Sequence, residues 1–169
     1  FPLIYQYIYK QIIKPGDIKK PLNKKYLKLL NDVYRTRLSN KSFEIILNGL
    51  QAIEDFKEYK AVIKKFEKCN PTKKGKKNAF SFGTKVLHTF NPEKNPIFDS
   101  VIKDNINLSY DIDVELCIDF RNAMNDFAND HEKYFLLNNS KRICEEFKKN
   151  NLSLNLPKMK ILDMALYLK

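Results

Sequence analysis

Lys85 and Asp99 are the residues in this sequence whose types and surroundings best suit chemistry. Lys85 follows Gly83 and Thr84 in a Gly-Thr-Lys-Val segment, and Asp99 ends the segment Pro-Ile-Phe-Asp. A glycine that opens a helix lets a phosphate approach the free N–H groups of the first turn, where the helix dipole also favours an anion. A lysine in the same turn becomes a nucleophile if burial and nearby cations lower its pKa. The spacing therefore predicts a phosphate-containing ligand beside a lysine amine.

Residues around this pair extend the predicted site. His88 falls one helical turn after Thr84 and could reach the same pocket, although a lone histidine is more often a hydrogen-bonded structural residue. Asp99 precedes a short apolar stretch and is expected to cap the helix there, a role that is compatible with catalysis. Four lysines surround Gly75 just upstream and are predicted phosphate contacts: Lys73, Lys74, Lys76 and Lys77.

These motifs resemble the helix-hairpin-helix DNA glycosylases, in particular the 8-oxoguanine glycosylase branch. The resemblance covers about 25 residues, through Gly83-Thr84-Lys85-Val86 and Pro96-Ile97-Phe98-Asp99-Ser100-Val101. It implies that Lys85 is the nucleophile and that Asp99 stabilises the cationic sugar or orients a water. The chain departs from the family pattern where two glycines usually stand, because it has Ala79-Phe80-Ser81-Phe82-Gly83 there. Ser81 is expected to substitute for the missing glycine by capping.

The chain is strongly basic, with a formal net charge of +11 and a pI near 9.4. Cationic side chains gain free energy when they release the counterions that are condensed on a phosphate backbone, so DNA is the predicted partner. Almost all of this charge is lysine, and lysine is also frequent in proteins of AT-rich genomes. The clustering of lysines around Gly75 favours nucleic acid over this compositional bias.

The sequence gives no indication of a cofactor, a metal site or a membrane span. Cys69, Cys117 and Cys144 lie far apart, without the spacing of metal ligands, and are interpreted as reduced thiols of a cytoplasmic protein. Asp111 and Asp113 could look like a metal pair but more often cap a helix and favour its dipole. The oligomeric state is not predictable from these patterns.

Helical periodicity dominates the chain and predicts a compact all-α domain of about eight helices spanning residues 1–169. Native residues upstream of Phe1 are compatible with this expectation. The predicted helices cover approximately 3–13, 26–38, 43–69 (as one helix or two), 81–90, 100–106, 114–137, 140–149 and 159–168. Asp163 lies on the otherwise apolar last helix, either as a buried partner for a cation such as Lys85 or facing solvent.

Three functions remain open from the sequence. The leading hypothesis is a base-excision glycosylase that cleaves the N-glycosidic bond of a modified or damaged base, with lyase activity through a lysine Schiff base. The alternative is a non-enzymatic basic module, of a defence or regulatory kind, that binds nucleic acid or an acidic protein. The third is a helical protein of an AT-rich genome with no role on nucleic acid.

Overall fold

A computed structural model of the chain describes residues 22–53, 58–67, 69, 79–130 and 158–167. These residues form helices joined by turns and loops, with no β-strand among them, which confirms the predicted all-α class. The helices are α1 (Lys24–Tyr34), α2 (Asn40–Gln51), α3 (Tyr59–Lys64), α4 (Phe80–Phe90), α5 (Ser100–Asn105), α6 (Val114–Asp130) and α7 (Lys158–Tyr167). The helices predicted over 3–13 and 140–149 lie outside the described residues.

The central helix of the described core is α4, which packs against α1, α3 and α6. Nine of its 11 residues are buried, so it has no face turned fully to solvent. The ring of Phe82 lies 6.5 Å from that of Phe43 and 6.3 Å from that of Phe66, so side chains of α2 and of the segment after α3 meet on this helix. Helix α1 runs antiparallel to α4, because Tyr26 contacts Phe90 while Tyr34 reaches Lys85.

Gly83 is required where α4 crosses the segment that follows α3. A Cβ atom at this position would lie 2.7 Å from the ring of Phe66 and 2.9 Å from the Cδ1 methyl of Ile63. Both distances are shorter than real Cβ contacts, so glycine allows the side chains of Phe66 and Ile63 to pack directly on the backbone of α4. This packing holds the first turn of α4 against the core.

The boundary between α1 and α2 differs from the predicted one. Helix α1 was expected to reach about Leu38, but it ends at Tyr34 because the Asn31 side chain accepts the amide of Leu38 at 2.7 Å. The next helix also begins earlier than the predicted residue 43, because α2 starts at Asn40. Ser39 is the N-cap of α2, and its hydroxyl accepts the Ser42 amide at 3.2 Å. In both cases a short polar side chain bonds a nearby backbone amide and ends or starts the helix early.

The loop from α4 to α5 folds back onto the core and brings Asp99 beside α4. Asn95 is buried and donates its amide group to the carbonyl of Leu87 at 3.1 Å, while its Oδ1 accepts from Arg121 at 3.0 Å. Phe98 is fully buried and stacks on Phe120, with 4.3 Å between ring centroids. These contacts with α4 and α6 fix the loop on both sides.

None of the described helices is long and apolar enough to span a lipid bilayer.

Candidate functional site

The structure brings Lys85 and Asp99 into direct contact. The Lys85 Nζ lies 2.9 Å from the Asp99 Oδ2 and donates a second hydrogen bond to the Ser81 hydroxyl at 3.0 Å. The two charged side chains are only 5% and 11% exposed. The pair that the sequence motifs single out is therefore a buried, hydrogen-bonded ion pair.

Asp99 also caps α5, which confirms the predicted capping role. Its Oδ1 accepts the backbone amides of Val101 and Ile102, each at 3.1 Å, while Oδ2 faces Lys85. One carboxylate thus satisfies two amides at the start of a helix and one ammonium group. The cap fixes the orientation in which Asp99 meets the amine.

Thr84 holds the loop segment that precedes Asp99 against α4. Its side chain is fully buried, and its hydroxyl accepts the Phe98 amide at 3.1 Å and lies 3.0 Å from the Phe98 carbonyl. Because the Thr84 hydroxyl is occupied in this way, it positions Asp99 relative to Lys85. The Thr84 hydroxyl thus contacts the backbone of the loop and not a ligand.

Asp163 of α7 supports the same loop from the opposite side. It is 3% exposed, and its two carboxylate oxygens accept the Ile97 amide at 3.1 and 3.2 Å. Its Oδ2 lies 3.5 Å from Nδ1 of His88, which donates to the Asn95 carbonyl at 2.7 Å. Of the two alternatives left open by the sequence, the buried one is correct, although the hydrogen bonds go to Ile97 and not to Lys85.

Lys160 is a buried lysine of this region that was not predicted as a site residue. It is 4% exposed on α7, one helical turn before Asp163. Lys85, Asp99, Lys160 and Asp163 influence one another electrostatically, and their formal charges sum to zero. The formal charges of this nearly inaccessible cluster therefore balance one another.

Burial sets the protonation tendencies of the site. It lowers the pKa of Lys85, although the neighbouring Asp99 opposes this, and it lowers the pKa of Lys160 in the same way. Burial raises the pKa of Asp163. Burial and the charge of Lys160 lower the pKa of His88 to about 3, so its imidazole is neutral near pH 7. The site therefore favours a neutral amine at Lys85 more than water does.

Tyr34 covers the Lys85 amine and was not predicted as a site residue. The ring centroid lies 5.5 Å from Nζ, within cation–π range. In the sequence, Tyr34 is simply the last apolar position of α1. Only the antiparallel packing of α1 on α4 brings its ring to Lys85, so the sequence pattern alone could not identify it. An aromatic ring beside the amine is the kind of surface on which a nucleobase stacks.

Two features of the predicted phosphate-binding turn are wrong. Gly83 lies within α4 and does not leave a free amide at its start, because the helix begins at Phe80 and the Gly83 amide donates to the Ala79 carbonyl at 2.9 Å. Ser81 is not a cap, because the N-cap position is Ala79 without a side-chain bond, and the Ser81 hydroxyl accepts from Lys85 instead. The predicted phosphate contacts Lys73, Lys74, Lys76 and Lys77 lie outside the described residues.

Within the ranges that the structure describes, no three His, Cys, Asp or Glu side chains come together as metal ligands would. Cys69 and Cys117 are buried there as free thiols, as expected for cysteines that act as small hydrophobic residues, and Cys144 is not among the described residues.

Comparison with known proteins found no matching family model, curated protein or solved structure.

Proposed function

We propose that this chain is a nucleic-acid base-excision enzyme of the helix-hairpin-helix glycosylase type, with Lys85 as nucleophile and Asp99 as its partner. The observation that carries the proposal is the 2.9 Å contact between Lys85 Nζ and Asp99 Oδ2. The motifs that resemble the glycosylases lie on α4 and on the loop before α5, and this contact joins them. A proton acceptor beside an amine is what nucleophilic catalysis by lysine requires.

The proposed reaction begins when Asp99 takes one proton from the Lys85 ammonium group. The neutral amine then forms a bond to C1′ of the sugar while the bond from C1′ to the base breaks. The base leaves with that electron pair and takes the proton held by Asp99. One proton then passes from nitrogen to O4′ as the C1′–O4′ bond breaks, which leaves a protonated Schiff base on Lys85. The regained charge of Asp99 stabilises this cation.

The charge of the chain fits a nucleic-acid partner. A net charge of +11 on 169 residues attracts polyanions and increases their rate of encounter. The target nucleotide would have to leave the base stack, because its C1′ is inaccessible within a duplex. DNA carrying a modified or damaged base is the substrate class that the motifs favour.

Access to the amine needs a local movement. The Lys85 side chain is 5% exposed, so a nucleotide reaches Nζ only when a covering group is displaced. Tyr34 is the aromatic group described over the amine, and it is itself only half-buried. Rotation of this ring would open a path and offer its face to the extruded base.

Borohydride trapping tests the proposal. Reduction of the Schiff base would link the protein covalently to DNA, as seen by a mass shift on a denaturing gel. Lys85→Met combined with Asp99→Asn removes the amine without leaving an unpaired buried charge, and it should form no adduct. Lys94→Gln, which changes an exposed lysine of the nearby loop, should still form the covalent adduct.

The choice of DNA matters for this test. Duplexes that carry oxidised, deaminated or alkylated bases should be compared with an abasic site, which reacts with an amine without base release. Absence of an adduct on every lesion and on the abasic site, with correctly folded protein, would exclude Lys85 as a nucleophile.

A non-enzymatic module is the second candidate, and the enclosure of the pair favours it. Lys85 and Asp99 are nearly inaccessible and satisfy each other, as the ion pair of a purely structural core does. The protein would then bind nucleic acid or an acidic partner protein through its basic surface. Salt-dependent binding that is unchanged in the Lys85→Met/Asp99→Asn variant, without release of any base, would support this function.

A further inference from the structure

The turn between α1 and α2 contains two arginines in an uncommon backbone conformation. Arg35 has φ 49° and Arg37 has φ 59°, and both angles lie in the left-handed region that side-chain-bearing residues seldom adopt. Glycine or asparagine is the usual residue at such positions, and glycine most often ends a helix in this way. Residues 35–38 are called the arginine turn below.

Asn31 holds the arginine turn in place. Its Oδ1 accepts the Leu38 amide at 2.7 Å and the Thr36 hydroxyl at 2.9 Å, and its carbonyl accepts the Thr36 amide at 3.1 Å. Leu38 is buried and anchors the end of the turn in the core. The two arginines are thus carried by an ordered backbone, which lowers the entropy cost of binding through them.

The two arginine side chains of the turn lie at the surface. Arg35 and Arg37 are exposed, and neither takes part in an ion pair with another residue of the described ranges. By contrast, Lys24 and Lys60 are exposed cations that pair with Glu44 and Glu115. Arginine is rare in this chain, with four among its 31 basic residues, and two of the four stand at alternate positions of this one turn.

The arginine turn directly adjoins the Lys85 site. It follows Tyr34, whose ring lies 5.5 Å from Lys85 Nζ. A strand that presents its sugar to Lys85 would therefore pass the turn with its neighbouring phosphates. Guanidinium groups bind phosphate oxygens in pairs, with a geometry that lysine lacks.

We propose that Arg35 and Arg37 bind backbone phosphates of the nucleic-acid strand that enters the Lys85 site. This inference rests on the proposed function for the identity of the strand as nucleic acid, and it adds the surface that the strand contacts. It also gives a reason for arginine at positions where glycine would be less strained.

The salt dependence of binding tests this inference. The association constant of the whole chain for a fluorescent 20-base-pair duplex is measured across a range of NaCl concentrations. The plot of log K against log salt concentration has a negative slope, whose magnitude is called the binding slope below. Each lost phosphate contact lowers this magnitude by ~0.9. The Arg35→Gln/Arg37→Gln variant should lose about twice that, or ~1.8. Lys64→Gln, which changes an exposed lysine of α3, should leave the slope close to that of the unsubstituted chain.

Glycine variants separate binding from folding. Arg35→Gly/Arg37→Gly relieves the left-handed strain, so its melting temperature should be equal to or higher than that of the unsubstituted chain, while its binding slope falls as in the glutamine variant. An unchanged slope in both double variants would overturn the inference. An equal fall per charge in Lys64→Gln would also overturn it, because the effect would then be one of general charge.

Failure of this inference and failure of the proposed function give different results. If the slope falls but no borohydride adduct forms on any duplex, the arginine turn binds phosphate and the enzymatic proposal fails. If the adduct forms and the slope does not change, the enzymatic proposal stands and the arginine turn is not a phosphate site.

Discussion

Removal of one member of the Lys85–Asp99 pair should destabilise the fold far more than removal of both. The side chains are 5% and 11% exposed, and their polar atoms are 2.9 Å apart. Lys85→Met or Asp99→Asn alone changes the formal charge of the four-residue buried cluster from zero to −1 or +1. Loss of one partner from a buried pair costs about 3–5 kcal/mol. We expect each single variant to lose about 3 kcal/mol, because Lys160 and Asp163 partly compensate the charge left behind.

The double variant Lys85→Met/Asp99→Asn restores a cluster of zero formal charge. Asparagine retains an oxygen that can accept the amides at the start of α5, so the cap is largely kept. The double variant should lose about 1 kcal/mol of unfolding free energy. Two independent single losses of about 3 kcal/mol would instead add to about 6 kcal/mol, so the coupling energy of the pair is about 5 kcal/mol. Replacement of a buried ion pair by neutral groups is often close to neutral for stability, whereas an uncompensated charge is not.

Urea unfolding at pH 7, followed by circular dichroism, measures these four free energies. In thermal unfolding each single variant should melt roughly 6–12 °C below the unsubstituted chain, since 1 kcal/mol corresponds to about 2–4 °C for a domain of this size. Lys94→Gln at the exposed loop should change neither measurement. Single variants that each lose less than about 1 kcal/mol, or losses that simply add in the double variant, would refute the buried pair.

Three further predictions concern residues around this site. Gly83→Ala should lose about 1–3 kcal/mol in urea unfolding, because its Cβ would overlap the Phe66 ring; unchanged stability would contradict the close approach. His88→Gln should lose less stability than the unsubstituted chain as the pH falls from 6.5 to 4. In that range His88 binds a proton in the unfolded chain but not in the folded one, where its pKa is about 3. The stability that neutral His88 contributes is fully present above pH 6.5 and is lost as the pH falls towards 3, by at most about 1.4 kcal/mol per pH unit. Equal slopes of unfolding free energy against pH in the variant and the unsubstituted chain would exclude this contribution. Asn31→Ala should lose about 1–3 kcal/mol through the unpaired Leu38 amide, and a loss below about 0.5 kcal/mol would argue against the ordered arginine turn.

Local patterns were sufficient where a helix boundary depends on residues close in sequence. The apolar spacing predicted α4, α5 and α7 within about two residues, and Asp99 caps α5 as expected. The same kind of reasoning was wrong for the end of α1. There the side chain of Asn31 reaches seven residues ahead to the Leu38 amide, and periodicity does not register such a bond.

Glycine illustrates a second limit of sequence reasoning. Gly83 could serve a phosphate, a turn or a close helix contact, and the motif alone favoured the phosphate. The structure shows an amide bonded to Ala79 and a position where a Cβ would meet Phe66. The reason for the glycine lies in a residue 17 positions earlier, and only the packing of α4 on that segment reveals it.

The sequence by itself determined the basic charge, the helical class and the choice of Lys85 and Asp99 as the candidate chemical pair. These follow from composition, from periodicity and from short motifs, which are properties of neighbouring residues. The tertiary structure decided that the pair is in contact, that the buried Asp163 and Lys160 interact with it electrostatically, and that Tyr34 covers the amine. Those facts depend on contacts between α1, α4 and α7, and burial and charge balance arise only when distant segments pack together.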